Sequence, residues 1–252
     1  MVRSLVVALA LVGCDPVVFQ HSLGQCAGES DGTPCDDGNI CTTTTVCRAG
    51  ACGAQNPLDT CKVADSADDF SGTQGEAGFY YGYWKAGADP DGSYASAADF
   101  APMEYCPDEE VSPPGRWMPP GRCALDRGIP GYRWTMNLKF TQHPENRPEL
   151  ELPVRRWVSH VSGPARIEIE HMVRGTGGDG TRALLLVDGV EVWRRETPGS
   201  ETSPVRAEID VDLRVGTAIE QLVHPLEEPN NDETHFRIGI HSRNPGADAG
   251  NP

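Results

Sequence analysis

The chain has 252 residues, 38% of them apolar and 23% charged, which is enough apolar material for one large or two small buried cores. Its 37 Asp and Glu against 21 Lys and Arg leave a formal charge of −16. That balance argues against nucleic acid as a partner and against electrostatic attraction to anionic lipid. Nine cysteines cannot all pair with one another, so one of them needs another purpose.

The N-terminus supplies that purpose. Residues 1–13 carry one positive side chain, Arg3, followed by an apolar run from Leu5 to Val12. This is the layout of an export signal, and it is too short to cross a bilayer. The run closes on Leu11-Val12-Gly13-Cys14, which resembles the lipobox of bacterial lipoproteins. The resemblance implies that residues 1–13 are removed, that the Cys14 thiol forms a thioether to diacylglycerol, and that the freed amine is acylated. Several acyl chains anchor firmly, because each buried methylene contributes about 0.8 kcal/mol. The expected location is the cell envelope of a bacterium, outside the cytoplasm, with the membrane as a partner through the lipid; the choice of leaflet stays open. Residues 14–25 then form a tether.

Setting Cys14 aside leaves an even number. Cys26, Cys35, Cys41, Cys47, Cys52 and Cys61 form a dense cluster, while Cys106 and Cys123 stand apart. An exported chain meets an oxidising compartment, so disulfides are expected in both groups. The 26–61 segment has almost no large apolar residue, so its order must come from cross-links of about 2 to 4 kcal/mol each. The cluster has no Cys-x2-Cys pair and no histidine, which disfavours zinc. The pairing among the six cysteines stays open. The stretch DGTPCDDGNICT…VCRAGAC resembles the repeat GTPCDDGNxCTxxDxCxxGxC of surface and secreted proteins in myxobacteria-like organisms, with Thr44-Thr45-Val46 where the repeat carries an acidic residue. Asp31, Asp36, Asp37 and Asn39 do not match the EF-hand spacing and read as turn residues.

From residue 62 to residue 243 the pattern becomes all-β. Strands are predicted at Phe79–Trp84, Trp134–Phe140, Val154–Val158, Ala165–His171, either side of Asp188-Gly189 in ALLLVDGVEVW, Val205–Val215 and His235–His241. The Val205–Val215 stretch alternates apolar and charged residues strictly, the period-two signature of a half-buried strand. Asp188-Gly189 offers the positive φ angles that a two-residue hairpin turn requires. About eight strands predict two antiparallel sheets in a jelly-roll-like sandwich, preceded by the small disulfide-rich module. A Pro/Gly-rich insertion at residues 86–131 needs a staple to hold it, and Cys106 with Cys123 would provide one. The tail, residues 244–252, reads as disordered. FSGTQGEAGFYYGYWK, VRRWVSHVSGPARIEIE and GGDGTRALLLVDGVEVW together resemble the galactose-binding-like sandwich modules of bacterial surface proteins and polysaccharide-active enzymes.

No Gly-x-Ser-x-Gly elbow, His-Glu-x-x-His pair or phosphate-cradling glycine loop occurs, so the expectation is a non-enzyme. Glu168 and Glu170 read as solvated. His171, His235 and His241 could share a face, but Arg237 between the last two repels a metal ion. Sugar rings present C–H faces that stack on aromatic rings, so the candidate ligand-binding residues are Tyr81, Tyr83, Trp84 and Trp117. Phe79, Tyr81 and Tyr83 would share one strand face with Tyr80 and Trp84 on the other, and it is hard to bury both. No cofactor is expected. Calcium is the one ion that the loops GTGGDG and EEPNND could take, through Asp179, Asn231 and Asp232, unless they simply turn. The reading that follows is a recognition or adhesion lipoprotein with a glycan or a surface protein as partner. The alternatives are a structural envelope protein without a small ligand and a polysaccharide hydrolase.

Overall fold

A computed structural model describes residues 26–35, 42–57, 60–107, 115–123, 134–175, 177–228 and 230–243. The signal, Cys14, the tether, Cys41 and the tail lie outside the described residues. Two compact units follow one another, residues 1–57 and 58–252.

The first unit is a hairpin of β1 (Thr42–Arg48) and β2 (Ala51–Pro57). Disulfides Cys26–Cys47 and Cys35–Cys52 tie the preceding segment to it, at Cα separations of 5.4 and 5.9 Å. Asp31 accepts the N–H of Ala49 at the hairpin turn, at 2.8 Å, which is the turn role expected of it.

The second unit holds fourteen strands among the described residues: β3 (Thr60–Asp65), β4 (Phe79–Trp84), β5 (Ala101–Pro102), β6 (Glu104–Cys106), β7 (Arg116–Met118), β8 (Met136–Asn137), β9 (Thr141–His143), β10 (Leu152–Val158), β11 (Gly163–Val173), β12 (Gly180–Val187), β13 (Val190–Pro198), β14 (Val205–Leu213), β15 (Ala218–Pro225) and β16 (Thr234–Arg243). One sheet runs β13-β12-β15-β10-β4-β5; the other runs β14-β11-β16-β9-β8-β7-β6, with β3 also on β16. Every pairing is antiparallel. Cys61 lies on β3 and is disulfide-bonded.

The core between the sheets follows the period-two pattern. Ile167 and Ile169 of β11 meet Phe236, Ile238 and Ile240 of β16 from one sheet, with Phe79, Tyr81, Trp157, Leu185 and Val223 from the other. Each fully buried side chain of this kind contributes about 1.5 to 3 kcal/mol. Asp188 (φ 49°) and Gly189 (φ 78°) make the predicted hairpin turn between β12 and β13. No strand was expected at β15, and the reason is physical. AIEQLVHP sits mid-sheet between β12 and β10 with both faces covered, so it shows no alternation of apolar and polar residues.

The outer face of the first sheet is not bare. Trp84, Leu152, Val154, Leu186 and Leu222 form a second core there, covered by Tyr94 and Phe100 of the insertion. Gly82 permits this cover, since a Cβ there would stand 2.5 Å from the Phe100 ring. The insertion is stapled as expected by Cys106–Cys123, Cα atoms 5.2 Å apart, and Arg122 grips buried Glu151 at 2.6 and 2.7 Å. The strand predicted over Trp134–Phe140 is instead the short hairpin β8–β9.

Candidate functional site: a polar cleft with an exposed indole

The structure places the four candidate aromatic residues in the core, with exposures of 0% for Tyr81, 6% for Tyr83, 8% for Trp84 and 3% for Trp117. Trp117 stacks on Tyr81 with centroids 4.9 Å apart and donates its indole N–H to the Ser71 carbonyl at 2.9 Å. Phe70 covers the Tyr81 ring edge-on at 5.2 Å. Trp84 meets Tyr94 at 5.4 Å and donates to Asp89 at 2.9 Å. None of these rings offers an open face to a sugar. On the second face of FYYGYW Tyr80 stays 37% exposed, while Trp84 is buried because the insertion folds over it, which strand alternation alone could not show.

The three histidines do not share a face. His171 points into the core against Trp193 and Phe236, at 6.0 and 5.9 Å. Burial, then the charges of Arg195 and His235, lower its pKa to about 4. His235 and His241 lie on the outer face beside Glu170 and Glu168, at 3.1 and 3.4 Å. Glu170 also pairs with Arg206 at 3.0 Å, in keeping with a solvated charge ladder. Among the described residues, the clusters with three close metal donors consist of Cys26, Cys35 and Cys52, and of Glu104 with Cys106 and Cys123; their sulfurs are already in disulfides.

A cleft of about 1300 Å³ lies at one end of the sandwich. Residues 174–175 and 177–179 between β11 and β12, Glu228, Asn230, Asn231 and Glu233 between β15 and β16, and Trp134, His143, Glu145, Arg147 and Pro148 line it. Trp134 stands at its wall, 39% exposed, with the His143 ring 5.9 Å away. His143 donates from Nδ1 to the Pro144 carbonyl at 2.7 Å, and burial lowers its pKa, so the ring is neutral at pH 7. Glu145 fixes the wall by accepting the N–H groups of Trp134, Asn146 and Arg147 at 3.2, 3.0 and 3.0 Å. Arg174 pairs with Glu233 at 3.3 Å, and Arg147 with Glu228 at 3.3 Å. All four of these side chains are partly exposed, so such pairs hold geometry more than they add stability.

The two loops touch through glycine. A Cβ on Gly175 would stand 2.2 Å from the Asn231 carbonyl oxygen, and one on Gly178 would stand 2.4 Å from that of Asn230. Asp179 accepts the N–H groups of Glu227 and Glu228 at 2.5 and 3.2 Å, which clasps one loop to the other. Asp232 is 0% exposed. Burial, then the charge of Asp179, push its carboxyl up to about 7. The structure thus brings together Asp179, Asn231 and Asp232, the three loop residues named for calcium. The sequence reading missed Trp134, His143, Arg147 and Arg174 as site residues. They lie roughly 50 to 100 positions before the loop that precedes β16, and no local pattern distinguishes Trp134 from the four other tryptophans.

No protein-family model matches the chain, and no curated protein sequence matches it. Among solved structures, it is similar to the CBM51 module of a Clostridium perfringens GH95 protein, in complex with methyl-galactose, at 12% identity over 41% of this chain and 79% of that one, TM-score 0.26. It is also similar to the C-terminal CBM6 of LamC from Zobellia galactanivorans, at 11% identity over 65% of this chain and 99% of that one, TM-score 0.26. A third likeness is to latent PorU of Porphyromonas gingivalis, at 7% identity over 36% of this chain, TM-score 0.27; the match spans 10% of the PorU chain. The ligand in the first of these belongs to that module.

Proposed function

We propose that the protein is a lipid-anchored recognition protein of a bacterial envelope, and that its sandwich binds a glycan in the Trp134 cleft. The observation that carries the glycan reading is the exposed indole of Trp134 in the wall of a polar cleft of about 1300 Å³. An indole face takes the C–H side of a sugar ring, while Arg147, Arg174, Asn230 and the glutamates supply donors and acceptors for its hydroxyls. The anchor reading rests on the sequence Leu11-Val12-Gly13-Cys14 and on the even count of the remaining cysteines. The hydrolase alternative draws support from the raised carboxyl of Asp232. Yet that group is 0% exposed, so a glycosidic oxygen has no path to it, and binding is the better reading.

A broad glycan array probed with the full mature chain tests the site. Specific binding should be lost in Trp134→Ala with the melting temperature nearly unchanged, because a half-exposed ring contributes little to the core. Binding that survives Trp134→Ala would move the site elsewhere. For the anchor, Cys14→Ser should release the protein from membranes into the soluble fraction; continued membrane association would refute lipidation at Cys14.

A further inference from the structure

The wall of the cleft carries a fixed acceptor beside its stacking surface. His143 meets the Pro144 carbonyl through Nδ1 at 2.7 Å, and a carbonyl only accepts, so the neutral ring carries its proton on Nδ1 and keeps a lone pair on Nε2. Nε2 forms no hydrogen bond among the described residues. The ring is partly exposed and lines the cleft, with its centroid 5.9 Å from that of Trp134 and its plane tilted by 41°. An aromatic face and an acceptor thus meet at a corner. His143 stands on β9, where the preceding residue Gln142 is tied to Asn137 in the core at 2.8 Å. The acceptor is held before any ligand arrives, which lowers the ordering cost of binding.

The charges of the lining narrow the ligand further. Arg147 and Arg174 each face a glutamate, Glu228 and Glu233, at 3.3 Å. Glu145 and Asp179 bring two more carboxylates, which accept backbone N–H groups of the wall and the loops. The lining therefore carries four carboxylates against two guanidinium groups, in a chain of formal charge −16. An incoming carboxylate or sulfate meets like charge and must compete with a glutamate for either arginine. Resting on the glycan reading of the cleft, we infer that its ligand is a sugar without acidic groups, stacked on Trp134 and read through a hydroxyl that donates to His143 Nε2. Uronic and sulfated glycans are excluded by the acids around them.

The test probes the full mature chain on an array that carries neutral oligosaccharides beside their uronate and sulfated counterparts, then titrates the strongest neutral hit and its monodeoxy series calorimetrically. Acidic counterparts should bind roughly tenfold more weakly than the neutral sugars, or worse. One monodeoxy sugar should lose roughly tenfold against wild type, the effect of one acceptor left without its donor. His143→Asn keeps a donor at the level of Nδ1 and removes Nε2. It should bind the parent sugar roughly tenfold more weakly and no longer distinguish it from that deoxy sugar. His143→Gln, whose side-chain oxygen reaches the level of Nε2, should recover most of the affinity. His143→Leu takes the place of His143→Asn if the latter does not fold. Acidic glycans bound as tightly as neutral ones, a flat deoxy series, or wild-type affinity without Nε2 would each overturn the inference; the glycan reading would still stand if binding needs Trp134. An array without hits, or hits that survive Trp134→Ala, would overturn both.

Discussion

Replacing Trp117 by alanine separates a core aromatic from a ligand-binding one. Its ring is 3% exposed, stacked on Tyr81 at 4.9 Å and tilted against Tyr105 at 5.3 Å. Truncating a buried Trp to Ala costs about 3 to 5 kcal/mol through lost burial and the cavity left behind. The Ser71 carbonyl also loses its indole donor. For a domain of 150 to 250 residues each kcal/mol shifts the melting temperature by roughly 2 to 4 °C, so Trp117→Ala should melt roughly 6 to 20 °C lower. Urea unfolding followed by circular dichroism would give the free energy, and glycan binding should be measured well below the melting point of the variant. There the folded fraction should still bind, since Trp117 packs on Tyr81, Tyr105 and Ser71 and does not line the cleft. A destabilisation below about 1 kcal/mol together with abolished glycan binding would refute the reasoning, because only a ring offered to the ligand behaves that way.

Two further outcomes are expected from buried groups of the sandwich. His171 titrates at about 4 in the fold against an ordinary 6.5, so the fold favours the neutral ring. Its contribution is complete above about pH 6.5 and is lost as the pH falls through 4, a swing of about 3 kcal/mol. Urea unfolding at pH 7 and pH 4 should show that loss shrinking in His171→Leu, and an identical loss in the variant would assign acid sensitivity to other groups. The Cys106–Cys123 bridge spans 17 positions and should contribute about 3 kcal/mol by limiting the unfolded chain. Cys106→Ala with Cys123→Ala should therefore melt roughly 6 to 12 °C lower, and an unchanged melting temperature would mean that Arg122 and Glu151 hold the insertion unaided.

Features that are local and periodic are legible in the chain alone. Ile167 and Ile169 alternate with Glu168 and Glu170, Phe236, Ile238 and Ile240 alternate with polar neighbours, and Asp188-Gly189 carries its own turn geometry; each places a strand or a turn without reference to the rest of the chain. Cysteine count and spacing likewise foresaw the Cys106–Cys123 staple. Tertiary structure decided everything that depends on what covers a surface. Whether Trp84 is a binding ring or a core ring is set by Tyr94 and Phe100, folded over it from the insertion. Whether Trp134 is exposed is set by the cleft it borders. β15 escaped sequence reading because burial on both faces erases alternation. Asp232 looks like one more loop acid in PNND. Only the packing of Gly178 and Asp179 against its loop removes water from its carboxylate, and that desolvation, with the charge of Asp179, pushes an ordinary loop acid up to about 7.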